Sequence, residues 1–594
     1  MANNNSRRSA VNRLTILCAL GILFLFVSIS PAAAQTDRAT LEGTVTDPSG
    51  GVVAGAKVRV TAIATTQFQE RNTNASGHYR FPGLPVGFFT VEVSHRGFKT
   101  KLTKQIELQV GETYTQDIQL EVGDVAERVE VTASLAAPVE RSSAESSTVI
   151  RSDQIDNLPV NGRDWAGLTL LAPFAQDDGG GDQRTIRFAG RARDDNNFNF
   201  DGVDAGGIQE QAQKSQTRLQ ISEDAVEEYR VSSALYDAEY GTQAGGQINI
   251  VTKSGTNTFH GTAFGFIRNS VFDARNFNDP PDVPPFRMGQ YGVSIGGPIV
   301  KDKTFFFANY EGLRQFQATT AIAAVPTAKL LNEVLVTGRN GVGPSPQMCS
   351  ILQGFPWQAS TGTVGTCAPR FTFPDSFFSP LSPDLSPPDS GDAQNFTRAF
   401  PTVVHEDTWL VRIDHKISDK TTLYGRAQRD ISLVDAPNNL QDGLDLLRTI
   451  NHPANYFIAL QHVFSPNVVN ETKLFINRSP FHNPQSSTLP YSVTTPNFYQ
   501  INNNQSDVEV GTTYGVIDNL TWTHGRHALK AGIEIRRVRL NQGKTASNNL
   551  TFSGNDDSLV SATLSQVQFT APWCCHKFRR TFYMPYFQDE WKVT

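Results

Sequence analysis

The sequence predicts a mostly β protein: an N-terminal β-sandwich, a mixed α/β domain, then an antiparallel transmembrane β-barrel. Three observations predict it. From Phe259 onward, apolar and polar residues alternate with period two in stretch after stretch. Tight turns there alternate with long polar connections, the asymmetry expected of a barrel with short periplasmic turns and long outer loops. The 594 residues include 46 Gly and 38 Phe but only 19% charged residues, with no helix-length apolar run after the N-terminal leader. A wall whose lipid-facing and lumen-facing side chains alternate has this profile.

Length and charge narrow the class further. One hydrophobic core rarely grows past about 250–300 residues, so several domains are expected. The formal net charge of −6 gives no basic footprint for nucleic acid.

Residues 1–34 read as a signal peptide. Arg7, Arg8 and Arg13 precede an apolar run from Leu14 to Ile29, and Ala32 and Ala34 form an A-x-A exit, so cleavage is expected after Ala34. Leu17 before Cys18 is too large for a lipoprotein cleavage site. Export places the other cysteines in an oxidising compartment. Cys349 and Cys367 share one Pro/Gly/Ser-rich stretch and are a candidate loop disulfide, whereas the vicinal Cys574 and Cys575 are poorly placed to bridge.

Residues 38–122 read as the sandwich. Leu41, Gly43 and Val45 alternate with polar residues up to Asp47-Pro48-Ser49-Gly50-Gly51, and further alternations run through Val58 and Val60 and through Phe89, Val91 and Val93. Short strands bounded by Gly/Pro turns predict a sandwich. The segment resembles the carboxypeptidase regulatory-like domain, a transthyretin-like fold also grouped with carbohydrate-binding-like folds. The resemblance implies a periplasmic spacer or docking module, and a sugar-binding role only by analogy.

Residues 123–136 read as a linker carrying an extended alternation, with Val129, Glu130, Val131, Thr132 and Ala133 at its centre. The mixed domain, 137–255, follows. Leu168 to Pro173 predicts a short helix, and Asp177 to Asp182 a Gly-rich acidic loop. Asn199-Phe200-Asp201-Gly202-Val203-Asp204 reads as a strand entering a Gly turn. Ile221 to Val231 reads as a short acidic helix or turn, and Gly245-Gly246 leads into an alternating strand through Gln247 to Lys253.

Residues 256–594 read as about ten barrel strands. Trp409, Val411 and Ile413 should face one way and Arg412, Asp414 and Lys416 the other. Tight turns are expected at Lys301-Asp302-Lys303, Ser418-Asp419-Lys420, Ser465-Pro466-Asn467 and His524-Gly525-Arg526. Long connections are expected at Gln315 to Glu406, Asp430 to Ala454, Asn477 to Thr512 and Leu540 to Thr581. The Phe-rich strands read as lipid-facing surface.

The Asp201-Gly202-Val203 turn, the Gly245-to-Lys253 run, Gln290 to Ile299 and Lys301 to Phe307 with Tyr310-Glu311-Gly312 occur in that order. Together they resemble the late plug and first barrel strands of TonB-dependent outer-membrane receptors, in the Oar-like branch. The resemblance covers nearly the whole mature chain. It implies a plug over 137–255 inside a barrel of usually 22 strands, so this chain would hold only the barrel's N-terminal part. It implies outer-membrane lipid and the TonB–ExbB–ExbD energising complex as partners. It also implies import of a siderophore, cobalamin, oligosaccharide or peptide, with no nucleic acid and no cofactor. Val129–Ala133 has the position and form of a TonB box, which pairs as an added strand with the energising partner. It fits equally as the first strand of the plug.

The sequence also contains fragments of catalytic patterns. Gly292-Val293-Ser294-Ile295-Gly296 fits G-x-S-x-G, but Gly297-Pro298 and a strand follow where a hydrolase elbow needs a helix. His405-Glu406 lacks the second His of a zinc helix. Asp177, Asp178 and Asp182 fit no known calcium-loop spacing. The expectation is therefore no catalytic and no metal residue. A non-transporting surface or adhesion barrel is the alternative reading, and a secreted hydrolase a third.

Overall fold

The computed structural model describes residues 37–123, 128–132, 145–177, 186–206 without 193–194, 219–343 without 237, 239–244, 278, 280–281, 327–329 and 331–332, and 393–591 without 438–445, 466, 485–491, 495–505, 546 and 553–556. The signal-peptide segment, Ala133, most of the acidic loop and the Cys349–Cys367 pair lie outside the described residues.

The first nine strands are β1 (Ala39–Thr46), β2 (Lys57–Ala62), β3 (Phe68–Asn72), β4 (His78–Leu84), β5 (Gly87–Ser94), β6 (Thr100–Leu108), β7 (Thr113–Thr115), β8 (Ile118–Gln119) and β9 (Arg128–Thr132). They form two facing sheets, β4-β1-β7 with β8 beside β1, and β3-β2-β5-β6-β9. Leu41, Val45, Val58, Val60, Phe81, Val91 and Val93 are buried together between them. The first turn closes as its composition predicts. The Asp47 carboxylate accepts the backbone N–H of Ser49 and of Gly51, each at 2.8 Å, and Gly50 takes φ 85°.

The central domain holds β10 (Ser146–Ile150), β11 (Ala175–Asp177), β12 (Ile186–Phe188), β13 (Asn197–Phe200), β14 (Val203–Asp204), β15 (Val226–Ala234) and β16 (Gln247–Thr252). Five of these make one mixed sheet, β10-β15-β16-β13-β14, with β13 and β16 parallel. A short helix, Ser152–Asn157, and a 3-10 helix, Trp165–Leu171, pack on it. Trp165 meets Tyr229 edge-on with centroids 5.2 Å apart, and the Tyr229 hydroxyl donates to the Trp165 carbonyl at 2.9 Å. The expectation of a helix or turn over 221–231 needs correction. Only Glu223–Ala225 forms a 3-10 turn, and from Val226 the chain is strand. The Glu-Glu pair hides the period, because β15 is an inner strand of the sheet and most of its residues are buried.

The wall comprises β17 (His260–Asn269), β18 (Phe286–Val300), β19 (Thr304–Pro326), β20 (Ala393–Ser418), β21 (Thr421–Pro437), β22 (Leu446–Asn451), β23 (Ala454–Ser465), β24 (Val468–Asn483), β26 (Asp507–His524), β27 (His527–Lys544) and β30 (Trp573–Trp591) in one eleven-stranded sheet. Short strands β25 (Ser492–Thr494), β28 (Ser547–Thr551) and β29 (Gln566–Thr570) form a small separate sheet. The described wall pairs are antiparallel, and side chains alternate between the two faces except at register shifts such as those near Pro298, Lys416 and Val463. Val411 and Ile413 are exposed on the outer face while Leu410 and Arg412 are buried on the inner one. Tight connections at Asp302 and Gly525, with φ 60° and 61°, mark one end of the wall.

Two expectations about the wall change. The strands run well past the predicted ends: β19 reaches Pro326 and β20 begins at Ala393, so the ladder Ala318↔Pro401 through Pro326↔Ala393 lies in what reads as loop. The apolar/polar alternation ends there while the hydrogen-bond ladder continues. The Phe-rich segment is also not simply lipid-facing. Phe305 and Phe307 are buried on the inner face, and Phe307 joins the core cluster of the central domain.

Candidate functional site

The site is built on the hairpin β13–β14. Asp201 and Gly202 take φ 51° and 75°, and Phe200 pairs with Val203 across them. Two consecutive positive φ values are what a tight two-residue hairpin requires, and Asp-Gly is a favoured pair for it. The turn therefore follows from local chemistry. What it touches does not.

Asp201 is completely buried. One carboxylate oxygen accepts the Thr252 backbone N–H at 2.9 Å and the Arg412 guanidinium at 3.2 Å. The other accepts Arg426 at 2.6 Å and the Thr252 hydroxyl at 2.9 Å. Arg412 and Arg426 stand directly opposite each other on β20 and β21. Like charges in that relation repel, so the central carboxylate neutralises an otherwise unfavourable pair. Burial alone would raise the Asp201 carboxyl, but Arg426, Arg412 and the Thr252 hydrogen bonds outweigh it and hold it below its ordinary value.

The contact continues along the hairpin. Lys473 donates to the Asp201 carbonyl at 3.0 Å, and Asn455 to the Asp204 carbonyl at 2.9 Å. Arg536 lies 3.3 Å from the Asp204 carboxylate. Val203 is buried among Tyr424, Phe457, Ala459, Phe475 and Ile517 of the wall. A second seat forms around Arg163, which bonds Asp224 at 3.0 Å and stacks over Phe264 of β17 at 4.1 Å. The arrangement can hold a folded domain against the inner face of the wall through buried, charge-assisted hydrogen bonds.

Gly245 and Gly246 serve the same domain from within. A Cβ on Gly246 would sit 2.3 Å from the Phe188 ring, and one on Gly245 would meet Asn196 at 2.7 Å. The close approach of chain to ring explains these two glycines.

Val129–Thr132 lie in β9, which pairs in parallel with β6, Thr103 opposite Val131. β9 is the terminal strand of the sandwich sheet, whereas the central sheet begins at β10. The segment read as a linker is thus bound to the N-terminal module, a pairing that nothing local in the sequence specifies. That module in turn meets the wall at its tight-turn end. Arg80 bridges Glu42 at 2.8 Å and Glu590 at 3.0 Å, and Asn257 bonds both the Thr65 carbonyl, at 2.9 Å, and Asp302, at 2.7 Å.

Sequence reasoning missed Arg412, Arg426 and Lys473 as site residues. Their signal is a full charge at an inward position of a wall strand, legible only once the register is known. Ser294, in the G-x-S-x-G pattern, lies mid-strand in β18 with its hydroxyl 2.7 Å from that of Thr262, as part of the wall.

Comparison with known proteins gives concordant matches. The outer membrane beta barrel domain model matches residues 251–594, and the carboxypeptidase regulatory-like domain model matches residues 40–121. The TonB-dependent transporter Oar of Myxococcus xanthus is 27% identical over 330 residues, 52% of this chain and 29% of that protein. The chain thus spans about three tenths of the length of that relative. Among solved structures, the outer membrane transporter YddB from Escherichia coli aligns with TM-score 0.44 at 12% identity, covering 75% of this chain and 54% of that one. The siderophore receptor PirA from Acinetobacter baumannii aligns with TM-score 0.39 at 13% identity, covering 67% and 48%.

Proposed function

The chain belongs to the outer membrane beta barrel family and sits in the outer membrane, and on that premise we propose that it is an energised importer gated by its central domain. In this reading residues 137–255 are the plug, and the Asp201 contact with Arg412 and Arg426 is the latch that keeps the lumen closed. The observation that carries it is this buried contact. A domain seated by ion pairs against a wall blocks passage, and moving it demands work because Asp201 and Arg426 would be left buried without their counter-charge. The similarity to a TonB-dependent transporter supports TonB with ExbB and ExbD as the source of that work. Val129–Thr132 is the proposed contact strand. As the last strand of its sheet it has one edge paired to β6, and among the described residues no strand pairs with its other edge, which would receive a partner by β-augmentation. The ligand class is a large or scarce solute: a siderophore, cobalamin, an oligosaccharide or a peptide.

The test is accumulation of radiolabelled ligands from such a panel in cells carrying the full-length gene. Uptake of one ligand that stops when the proton gradient is collapsed or TonB is deleted is the expected result. Surface binding with no accumulation in any condition would replace this reading with that of a binding or adhesion barrel.

A further inference from the structure

The outer face of β24, β26, β27 and β30 changes character in register, rung by rung, towards the long-connection end of the wall. One rung reads Leu474, Val516, Ile535 and Tyr583. The next reads Ile476, Tyr514, Arg537 and Thr581. The third reads Arg478, Thr512, Arg539 and Arg579. The column starts in apolar side chains that face lipid, crosses an aromatic level with Tyr514, and ends in arginine. On β26 the outward aromatics Trp522 and Tyr514 lie eight residues apart, both exposed, about 27 Å along the strand and about 20 Å across a membrane when tilted. The arginine rung therefore stands at the outer headgroup level.

These arginines are held by neutral acceptors. Arg537 donates to the Thr581 hydroxyl at 2.7 Å, Arg478 to the Thr512 hydroxyl at 3.2 Å, and Arg579 to the Asn541 side-chain carbonyl at 2.8 Å. The Arg539 guanidinium lies 5.3 Å from the Tyr514 ring centroid. Among the described residues, no Asp or Glu occupies the outward positions of these rungs. Elsewhere on the outer face arginines do have carboxylates: Arg314 bonds Asp407 at 2.8 Å through both oxygens, and Arg448 bonds Asp435 at 2.6 and 2.7 Å. Within the wall the comparison is closer still. Arg412 and Arg426 stand opposite each other and are bridged by Asp201. Arg539 and Arg579 stand opposite each other in the same way, with no carboxylate among the described residues of their rung to do the bridging.

We propose that Arg478, Arg539 and Arg579, with Arg537, form a binding site for the phosphorylated headgroup of an outer-leaflet lipid. Guanidinium groups match phosphate oxygens in bidentate geometry and stay charged at any relevant pH. The rung crosses three strand spacings, about 14 Å, room enough for a headgroup bearing more than one phosphate. The apolar rung of Leu474, Val516, Ile535 and Tyr583 lies below it for the acyl chains of the same molecule. A phosphorylated lipid satisfies both halves of the column, whereas free phosphate satisfies only one.

The test uses the full chain purified in detergent and measures bound lipid by native mass spectrometry. The probes are a bis-phosphorylated glycolipid, its dephosphorylated counterpart and inorganic phosphate. Wild type should retain the phosphorylated lipid. R478Q/R539Q/R579Q should bind it about tenfold more weakly or worse, since each lost charge-assisted hydrogen bond is worth about that factor. The corresponding triple Lys variant should stay within about threefold, because the charge remains. Heat-modifiable gel mobility confirms folding, and R579Q alone, expected to weaken binding by a smaller factor, serves if the triple variant misfolds. Undiminished binding by a folded Gln variant, or equal binding of the dephosphorylated lipid, overturns the site. Displacement of the lipid by millimolar inorganic phosphate overturns the assignment of a lipid as its ligand.

Discussion

Arg426 of the wall and Asp201 of the central domain are 2.6 Å apart, 225 residues apart in the chain, and both are buried from solvent. The pair joins the central domain to the inner face of the wall. Arg412 shares the same carboxylate and also bonds Asp414 at 2.9 Å, so the local charges balance.

Removing the carboxylate should therefore loosen the central domain more than an ordinary surface change would. Asp201→Asn keeps the turn residue's size but leaves the buried Arg426 without its anion and Arg412 with Asp414 alone, at a cost of about 3–5 kcal/mol. Planar-bilayer recording should show larger and more frequent conductance for this variant than for wild type. A variant as closed as wild type would show that the contact does not hold the lumen shut.

Gly246→Ala should destabilise the central domain by about 1–3 kcal/mol through overpacking against Phe188. Denaturant melting measures it. The compensating change Phe188→Leu should recover part of the loss, and a double variant no better than the single one would place the strain elsewhere.

Glu228 gives the contact between the sandwich and the central domain a pH dependence. Burial pushes its carboxyl from 4.5 up to about 8, against the pull of the Val110 N–H that it accepts. A raised carboxyl binds its proton more tightly when folded, so its contribution to stability is fully present below about pH 4.5 and is lost as pH rises through about 8. Glu228→Gln keeps an acceptor for Val110 and removes the penalty. Its melting temperature should exceed that of wild type at pH 8 and match it at pH 4. A gain that is equal at both pH values would count against this account.

Val131→Pro probes the edge strand. Proline lacks the N–H that a strand ladder uses and fixes φ, whereas Val131→Ala keeps the backbone intact. In cells carrying the full-length gene the proline variant should lose energised uptake and keep ligand binding at the outer face, with the alanine variant near wild type in both. Paired binding and uptake in the same cells decide it. Normal uptake with proline would remove β9 as the contact strand. Loss of binding as well would assign it a structural part, through its ladder to β6.

Much of this molecule is legible from its residues one neighbourhood at a time. Period-two alternation announces the wall, because each strand must present apolar atoms to lipid and polar atoms to the lumen. Gly/Pro punctuation announces the sandwich, and Asp201-Gly202 announces a tight turn, because Asp and Gly both tolerate the positive φ that it needs. These are local constraints, and they act within a few residues. The tertiary structure alone decided which charges meet. Arg412 and Arg426 become a pair through the register of β20 on β21, and a site through the arrival of Asp201. β9 joins β6 rather than the central sheet, and the extended hairpins β19–β20 and β21–β22 continue where alternation has ceased. Strand pairing is a relation between distant segments, set by which edges are available and which faces must be buried, and no single segment carries that information.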